Sequence, residues 1–246
     1  MMKRVFALLL LFALLLCGCG KENGTTATEP DAATVPTATE APAQTELPVE
    51  TASPVAAGHE MSALAMEDFM LPLEEHSWDR EYDPEFVMLH FTSAVVNNRR
   101  DPYNIAAIRE IFYGYDVSIH YIIERDGTIR CYIPEDRVAW HAGAGTYGND
   151  EKYTDKMNLY AIGIELVAIG SQEDMADYLT PEEYDALDDD LIGFTEEQYV
   201  ALEALVADIC QRNNIPQDRD HVIGHSDFTL DNGDPGSLFD WSRVIP

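Results

Sequence analysis

An α/β fold with a mixed central sheet flanked by helices is predicted by three features of the sequence. Apolar strand-like runs alternate with helical periods between residues 86 and 224, several of those runs are apolar throughout, and one Asp-Gly turn calls for an antiparallel pair. Phe86 to Thr92 is a short, mostly apolar run that reads as a buried strand ending in His90 and Thr92. Arg100 to Tyr113 carries Ile105, Ile108, Ile111 and Phe112 at helical spacing, and Gly114 closes it. Ser118 to Glu124 and Ile129 to Ile133 flank Arg125–Thr128, where Asp126-Gly127 is a strong hairpin signal and makes the sheet mixed. Tyr160 to Ile169 predicts another buried strand, with Glu165 in its middle. Thr195-Glu-Glu-Gln198 is a capping box. The helix it opens places Tyr199, Leu202, Leu205, Val206 and Ile209 on one face and ends near Asn213-Asn214, before Pro216. His221 to Ile223 is a short strand leading into Gly224-His225.

A chain of 246 residues has room for one ordinary domain with appendages, or for two small ones. Its 46% apolar and 24% charged residues are globular proportions, but 45 Asp and Glu against 15 Lys and Arg leave a formal charge of −30 and a pI near 4.2. Such a surface repels phosphate backbones and anionic lipid, which disfavours a nucleic-acid partner. The acid is concentrated: residues 1–57 carry a net −3 and the remainder −27.

The first residues read as an address. Met1 to Arg4 is a short basic stretch, and Val5 to Leu16 is an unbroken apolar run of twelve. A spanning helix needs about 20 such residues, so the run predicts a signal peptide. Leu16-Cys17-Gly18-Cys19 resembles the bacterial lipobox, in which a cysteine after a small residue is lipidated and becomes the first residue after cleavage. Cys19 fits that position because Gly18 precedes it, whereas Leu16 before Cys17 does not; an ordinary secretory signal is the alternative. Two acyl chains on Cys19 would hold the protein stably on a membrane without a spanning helix.

The predicted organisation is therefore a lipoprotein signal over residues 1–19, a disordered linker rich in Thr, Ala, Pro and Glu over 20–58, and one folded domain over 59–246. The expected product is exported, faces the cell wall, touches the membrane through its lipid alone and acts as a monomer. Residues 171–193, including Asp188-Asp189-Asp190, read as a solvated acidic insertion; the ordered Gly and Glu spacing of an EF-hand calcium loop is missing. Cys131 and Cys210 are expected to remain free thiols, and no CxxC pattern suggests a thiolate metal site.

Polar groups inside apolar strands are the informative positions, since burying one without a partner costs roughly 2–7 kcal/mol. His90, His120, Glu165 and His225 stand out. Glu165 in Ala161-Ile-Gly-Ile-Glu-Leu-Val167 must be paired, metal-bound or held for proton transfer; a structural ion pair with one of the domain's twelve Arg and Lys is the plain alternative. His90 and His225 each sit where an apolar strand gives way to polar sequence, the place where open α/β sheets put ligands. A lone histidine there is more often a satisfied core residue, and no HExxH helix is present.

Several separated stretches, in order, resemble the zinc-dependent N-acetylmuramoyl-L-alanine amidases of type 2, relatives of the peptidoglycan recognition proteins. They are Leu89-His-Phe-Thr92, Val117-Ser-Ile-His-Tyr-Ile-Ile123 with Asp126-Gly127, Ala139-Trp-His-Ala-Gly143, Ile162-Gly-Ile-Glu165, Gln198-Tyr199, and Val222-Ile-Gly-His-Ser-Asp227 followed by Asp234-Pro-Gly236 and Phe239-Asp-Trp241. The resemblance covers about residues 86–241 and implies a zinc site at one edge of the sheet. Carried over by position, it makes His90, His225 and Asp234 the protein ligands of Zn²⁺, with a fourth position open for catalysis. It makes Glu165 the catalytic proton carrier for hydrolysis of the amide between N-acetylmuramic acid and L-alanine, in peptidoglycan or muropeptides.

The same resemblance puts His141 in the substrate groove, although a polar loop residue packed beside Trp140 reads almost as well. For His120 a structural hydrogen bond is expected; His59, His76 and His221 match nothing. One position departs from the pattern. Many relatives have a lysine two residues before the aspartate ligand, and here it is Asn232, an amide that can still donate a hydrogen bond to substrate. A non-catalytic muropeptide-binding lipoprotein is the rival reading, and such relatives commonly lack a metal ligand.

Overall fold

The computed structural model describes residues 62–148, 150–230 and 232–245. The expected signal with Cys19, the whole of the expected linker and His59 lie outside them. Among the described residues eight strands form: β1 (Glu67–Asp68), β2 (Ser77–Asp79), β3 (Phe86–Thr92), β4 (Tyr121–Ile123), β5 (Ile129–Cys131), β6 (Arg137–Ala139), β7 (Ala161–Val167) and β8 (Val222–Gly224). Four α-helices accompany them: α1 (Leu73–His76), α2 (Ile105–Gly114), α3 (Pro181–Tyr184) and α4 (Glu196–Asn213). Six strands make one sheet in the order β1-β5-β4-β7-β3-β8, and β2 pairs with β6 separately. Within the large sheet only the β4–β5 hairpin is antiparallel, so the mixed α/β class read from the sequence is the class observed.

The long central strands β3 and β7 are buried over almost their whole length, which is why their sequences are apolar on both faces. Alternation then assigns the faces. Val87 and Leu89 of β3 and Ile162, Ile164 and Leu166 of β7 pack under α4, together with Tyr199, Leu202, Leu205, Val206 and Ile209. The opposite face holds Phe86 and Met88 in one cluster and Ile122 and Val167 in another, the latter covered by Ile108, Ile111 and Phe112 of α2.

Helix α4 starts and stops where its sequence indicates. Thr195 accepts from Gln198 N–H while the Gln198 side chain accepts from Thr195 N–H, and Asn214 ends the helix in the left-handed conformation. Helix α2 starts five residues later than its apolar spacing predicts, because the Asn104 side chain caps it by accepting from Ala107 N–H at 2.9 Å. Strands β1, β2 and β6 and helices α1 and α3 carry too little periodicity to be read in advance.

The acidic segment 171–193 has a divided character. Glu173, Asp177, Glu182, Asp185 and Asp188–Asp190 are exposed, as a solvated insertion requires. Met175 and Leu179, however, are buried against Val95 and Ile169, with Phe91, Tyr178, Tyr184 and Leu191 around them. The segment is a small lobe with its own apolar floor. Cys131 and Cys210 are free, as expected. Among the described residues no helix is long and apolar enough to cross a membrane.

One buried ion pair fastens α4 to the sheet. Glu135, between β5 and β6, accepts from Arg212 at 2.7 and 2.8 Å, from the Tyr121 hydroxyl at 2.7 Å and from Asn213 Nδ2 at 3.1 Å. Burial alone would raise its pKa, but these donors outweigh that and hold the carboxyl below its ordinary value. Replacing Glu135 with Ala removes two bonds of the buried Arg212 guanidinium, which keeps Asp208 at 2.8 Å, and should destabilise the fold by about 1.5–3 kcal/mol in urea titrations. Because the folded-state pKa is depressed, the pair's contribution is present above the ordinary carboxylate range and lost as pH falls through the folded value. The difference between wild type and Glu135→Ala should therefore shrink in acid.

Candidate metal centre and buried glutamate

The site is built by parity and register. His90 lies on β3 and Glu165 on β7, and the parallel pairing sets them directly opposite one another. Both point to the face away from α4, because both are out of step with the residues that pack under that helix. On the other side of β3, Leu89 is in register with Gly224 of β8, so the chain turns into His225 level with His90. The three residues thus gather at the carboxyl ends of adjacent parallel strands, near the β8 edge of the sheet.

Asp234 arrives on the loop after β8. Its carbonyl accepts from Ser226 N–H at 3.0 Å, and its own N–H donates to the Asn232 side chain at 2.8 Å. Gly224 permits this approach: a Cβ there would stand 2.7 Å from Pro235 Cδ and 2.8 Å from Asp234 O. One ligating atom each from His90, His225 and Asp234 lies within 4.8 Å of the others. His90 Nδ1 is 3.5 Å from Asp234 Oδ2, and the rings of His90 and His225 are 4.8 Å apart.

The hydrogen bonds around these donors fix their chemical form. His225 Nε2 stands 2.8 Å from Ala142 O; a carbonyl only accepts, so Nε2 carries the proton and the buried Nδ1, which has no partner, keeps its lone pair. Burial pushes the pKa of His90 down to about 3 and that of His225 down to about 4, so both rings are neutral at neutral pH. Two neutral imidazoles and a carboxylate are the donor set of a catalytic rather than a structural zinc site, so the residues fit that metal.

Glu165 is 5% exposed, and its Oε2 has no hydrogen-bond partner. Burial first, and the nearby Asp234 second, raise its pKa well above the ordinary carboxylate value. The structural ion pair, the plain alternative for this residue, is not found among its contacts.

His141 belongs to the same cluster. Its Nδ1 is 3.1 Å from His90 Nε2, and its Nε2 is buried without a partner. His120 lies behind it and makes the structural bond expected of it, accepting from Gly163 N–H at 2.9 Å. With Nδ1 accepting, the proton sits on Nε2, which faces Arg137 O at 3.2 Å. The Asn232 carbonyl oxygen accepts from Asp234 N–H, which leaves Nδ2 as the donor of the amide. His76 is buried among Trp140 and Tyr113, and His221 pairs with Asp218 at 2.7 Å, both apart from the site.

Two supporting residues carry no sequence signal. Asn158 Oδ1 accepts from the N–H groups of His141 (2.9 Å) and Ala142 (2.7 Å), fixing the segment that orients His225. Arg80 is buried and donates to the carbonyls of Glu135, Leu159, Arg137 and Ala161. Asn158 acts through backbone atoms, and Arg80 mostly so, its Nη2 also standing 3.1 Å from His120 Nε2; such contacts leave no pattern of residue types.

Residues 80–237 match the family described as N-acetylmuramoyl-L-alanine amidase, Amidase_2. The chain belongs to this amidase family. Among the chain's relatives, the 1,6-anhydro-N-acetylmuramyl-L-alanine amidase AmpD of Salmonella typhimurium is 34% identical over 128 residues, covering 52% of this chain and 54% of the relative. The N-acetylmuramoyl-L-alanine amidase AmiD of Escherichia coli is 30% identical over 137 residues, covering 52% of this chain and 43% of the relative. The chain thus spans about half the length of the curated relatives it matches. A crystal structure of an AmpD derivative superimposes with a TM-score of 0.50 at 24% identity, over 73% of this chain and 92% of that one, a likeness of fold.

An acid whose folded pKa is raised weakens the fold as pH climbs from its unfolded value toward the folded one. Glu165→Gln removes that penalty. In metal-free protein it should raise the thermal midpoint at neutral pH, with the gain vanishing toward pH about 4, where wild-type Glu165 is also neutral. Calorimetry across that range checks this, and a lower midpoint for Glu165→Gln at neutral pH would sink it.

Proposed function

We propose that this amidase hydrolyses the bond between N-acetylmuramic acid and L-alanine in peptidoglycan or muropeptides, with zinc held by His90, His225 and Asp234. The observation that carries the reading is the in-register placement of His90 opposite an unpartnered, buried Glu165, with the His225 and Asp234 donors converging on the same spot. That the relatives AmpD and AmiD are N-acetylmuramyl-L-alanine amidases supports the substrate class. When bound, zinc supplies Lewis acidity, which acidifies water and draws charge from the scissile carbonyl.

The chain's own residues do the rest. Glu165 takes the proton of the attacking water on its unpartnered oxygen and returns it to the departing amine of L-alanine. The Ala142 carbonyl keeps the proton of His225 on Nε2, so that Nδ1 faces the other donors. Asn232 Nδ2 and His141 Nε2 are the neutral donors available to the substrate where many relatives have a lysine. A single oxyanion donor is typically worth about 10²–10³ in rate, so the amide should give a slower enzyme. The rival reading, a binder without turnover, would fit a broken donor set, and here all four groups are present.

Purified protein loaded with zinc and given muropeptides should release stem peptides that begin with L-alanine, identified by mass spectrometry. Glu165→Ala should slow release by about 10²–10⁴. Chelation should stop it and added zinc restore it. Tight muropeptide binding with no cleavage would favour the rival.

We also infer that the protein is exported and held on the membrane, facing the wall, by lipid on Cys19, and that it works there as a monomer. The strongly acidic chain gains no electrostatic attraction to an anionic wall, and an acyl anchor would supply the localisation instead. Globomycin, which blocks lipoprotein signal cleavage, should leave a larger precursor in cells; an unchanged size would count against lipidation.

A further inference from the structure

The loop that delivers Asp234 is gripped from two sides. On the β8 side, Ser226 N–H holds the Asp234 carbonyl. On the other side the loop meets the acidic lobe. Asp174 Oδ2 accepts from the N–H and the hydroxyl of Ser237, both at 3.1 Å, and from the N–H and the hydroxyl of Ser171 at 2.9 and 2.7 Å. The two serine hydroxyls also meet, at 2.9 Å. Between Asp234 and Ser237 lies Gly236, at φ +85°, where a Cβ would come within 2.9 Å of the same Asp174 oxygen and 3.4 Å of Phe91 Cε1. Only a residue without a side chain lets the loop pass this close to the carboxylate.

The lobe that carries Asp174 is anchored in turn. Met175, the next residue, is buried with Leu179 against Val95 and Ile169. Phe91, which packs against the lobe and lies beside Gly236, directly follows His90. A connected path therefore runs from the apolar floor of the lobe, through one carboxylate oxygen, to the backbone three residues beyond Asp234.

We propose that Asp174 is a positioning residue for the metal centre: through Ser237 it fixes the loop that presents Asp234, so the acidic lobe sets the place of the third donor. The proposal rests on the reading of His90, His225 and Asp234 as metal donors. Its physical basis is entropic. His90 and His225 are placed by strands, whereas Asp234 rides on a loop, and a loop ordered before the metal arrives does not lose that freedom on binding.

The test measures zinc affinity of the full-length protein against a competing chelator, and the visible spectrum of its cobalt-substituted form. Asp174→Ala should weaken zinc binding by about 10–100-fold, the usual effect of losing an outer partner of a ligand, and should change the cobalt bands. Asp174→Asn, which keeps an acceptor oxygen in place, should recover most of both. Glu182→Gln removes an exposed acid from the same lobe and should match wild type, which separates position from general charge. If Asp174→Ala does not fold, Ser237→Ala removes one of the clamp's donors at the surface and should give a smaller loss of affinity.

An Asp174→Ala protein that melts earlier without metal yet binds zinc as tightly as wild type, with unchanged cobalt bands, would show a merely structural carboxylate and overturn the proposal. So would a Ser237→Ala protein with full affinity, where that variant is the one tested. Failure of wild type to bind zinc at all would overturn the metal reading and this proposal together, a result distinct from either.

Discussion

The pairing of β3 with β7 is the constraint on which the rest of the site depends. Seven residues of each strand run parallel and in register, from Phe86 opposite Ala161 to Thr92 opposite Val167. Side chains alternate with a period of two, so this single register decides that His90 and Glu165 share a face and stand side by side. A slip of one residue would send one of them under α4, among Leu202, Leu205 and Val206. The apolar residues that lock the register are thus also what brings His90 and Glu165 together. The fold and the chemistry are selected by the same hydrophobic pattern.

That dependence explains which parts were legible in the sequence. The central strands and α4 announce themselves because their apolar residues repeat over seven to eighteen positions, and Thr195 and Asn214 mark the ends of α4 with local chemistry. Strands β1, β2 and β6 are two or three residues long and exist because a neighbour offers them an edge, a cause that lies outside their own sequence. The site divides in the same way. His90 and Glu165 are legible as polar residues in apolar strands. Asp234, in a Gly-Asp-Pro-Gly turn, could be picked out only through family resemblance, since any turn carries such residues. Asn158, Arg80 and Asp174 act on backbone atoms or through serines, so nothing in their neighbourhood marks them.

The acidic segment shows why charge runs mislead. Read by composition, residues 171–193 belong in water, and most of their carboxylates are there. Interleaved with the acids, Met175, Leu179 and Leu191 supply a floor that docks on Val95, Phe91 and Ile169, beside the strand that carries His90. A few apolar residues are enough to attach a mostly polar segment, because each buried one contributes about 1.5–3 kcal/mol while each exposed acid contributes little either way. Attachment, in turn, puts the half-buried Asp174 within reach of the loop that carries Asp234.

Two buried glutamates in this chain make the functional argument by contrast. Glu135 and Glu165 are almost equally removed from solvent, at 8% and 5% exposure. Glu135 is surrounded by a guanidinium, a phenol and an amide that satisfy both its oxygens, and its pKa falls. Glu165 has an oxygen with no donor and an acidic neighbour in Asp234, and its pKa rises. The same side chain is thus found once as a rivet and once with an oxygen left open. A fold under selection for stability alone would supply a donor to Glu165 or replace it with an apolar residue, as buried ionic groups generally allow. Keeping it charged-capable, unpartnered and in register with His90 is destabilising, and the arrangement makes physical sense only if the carboxylate is completed by what binds in front of it.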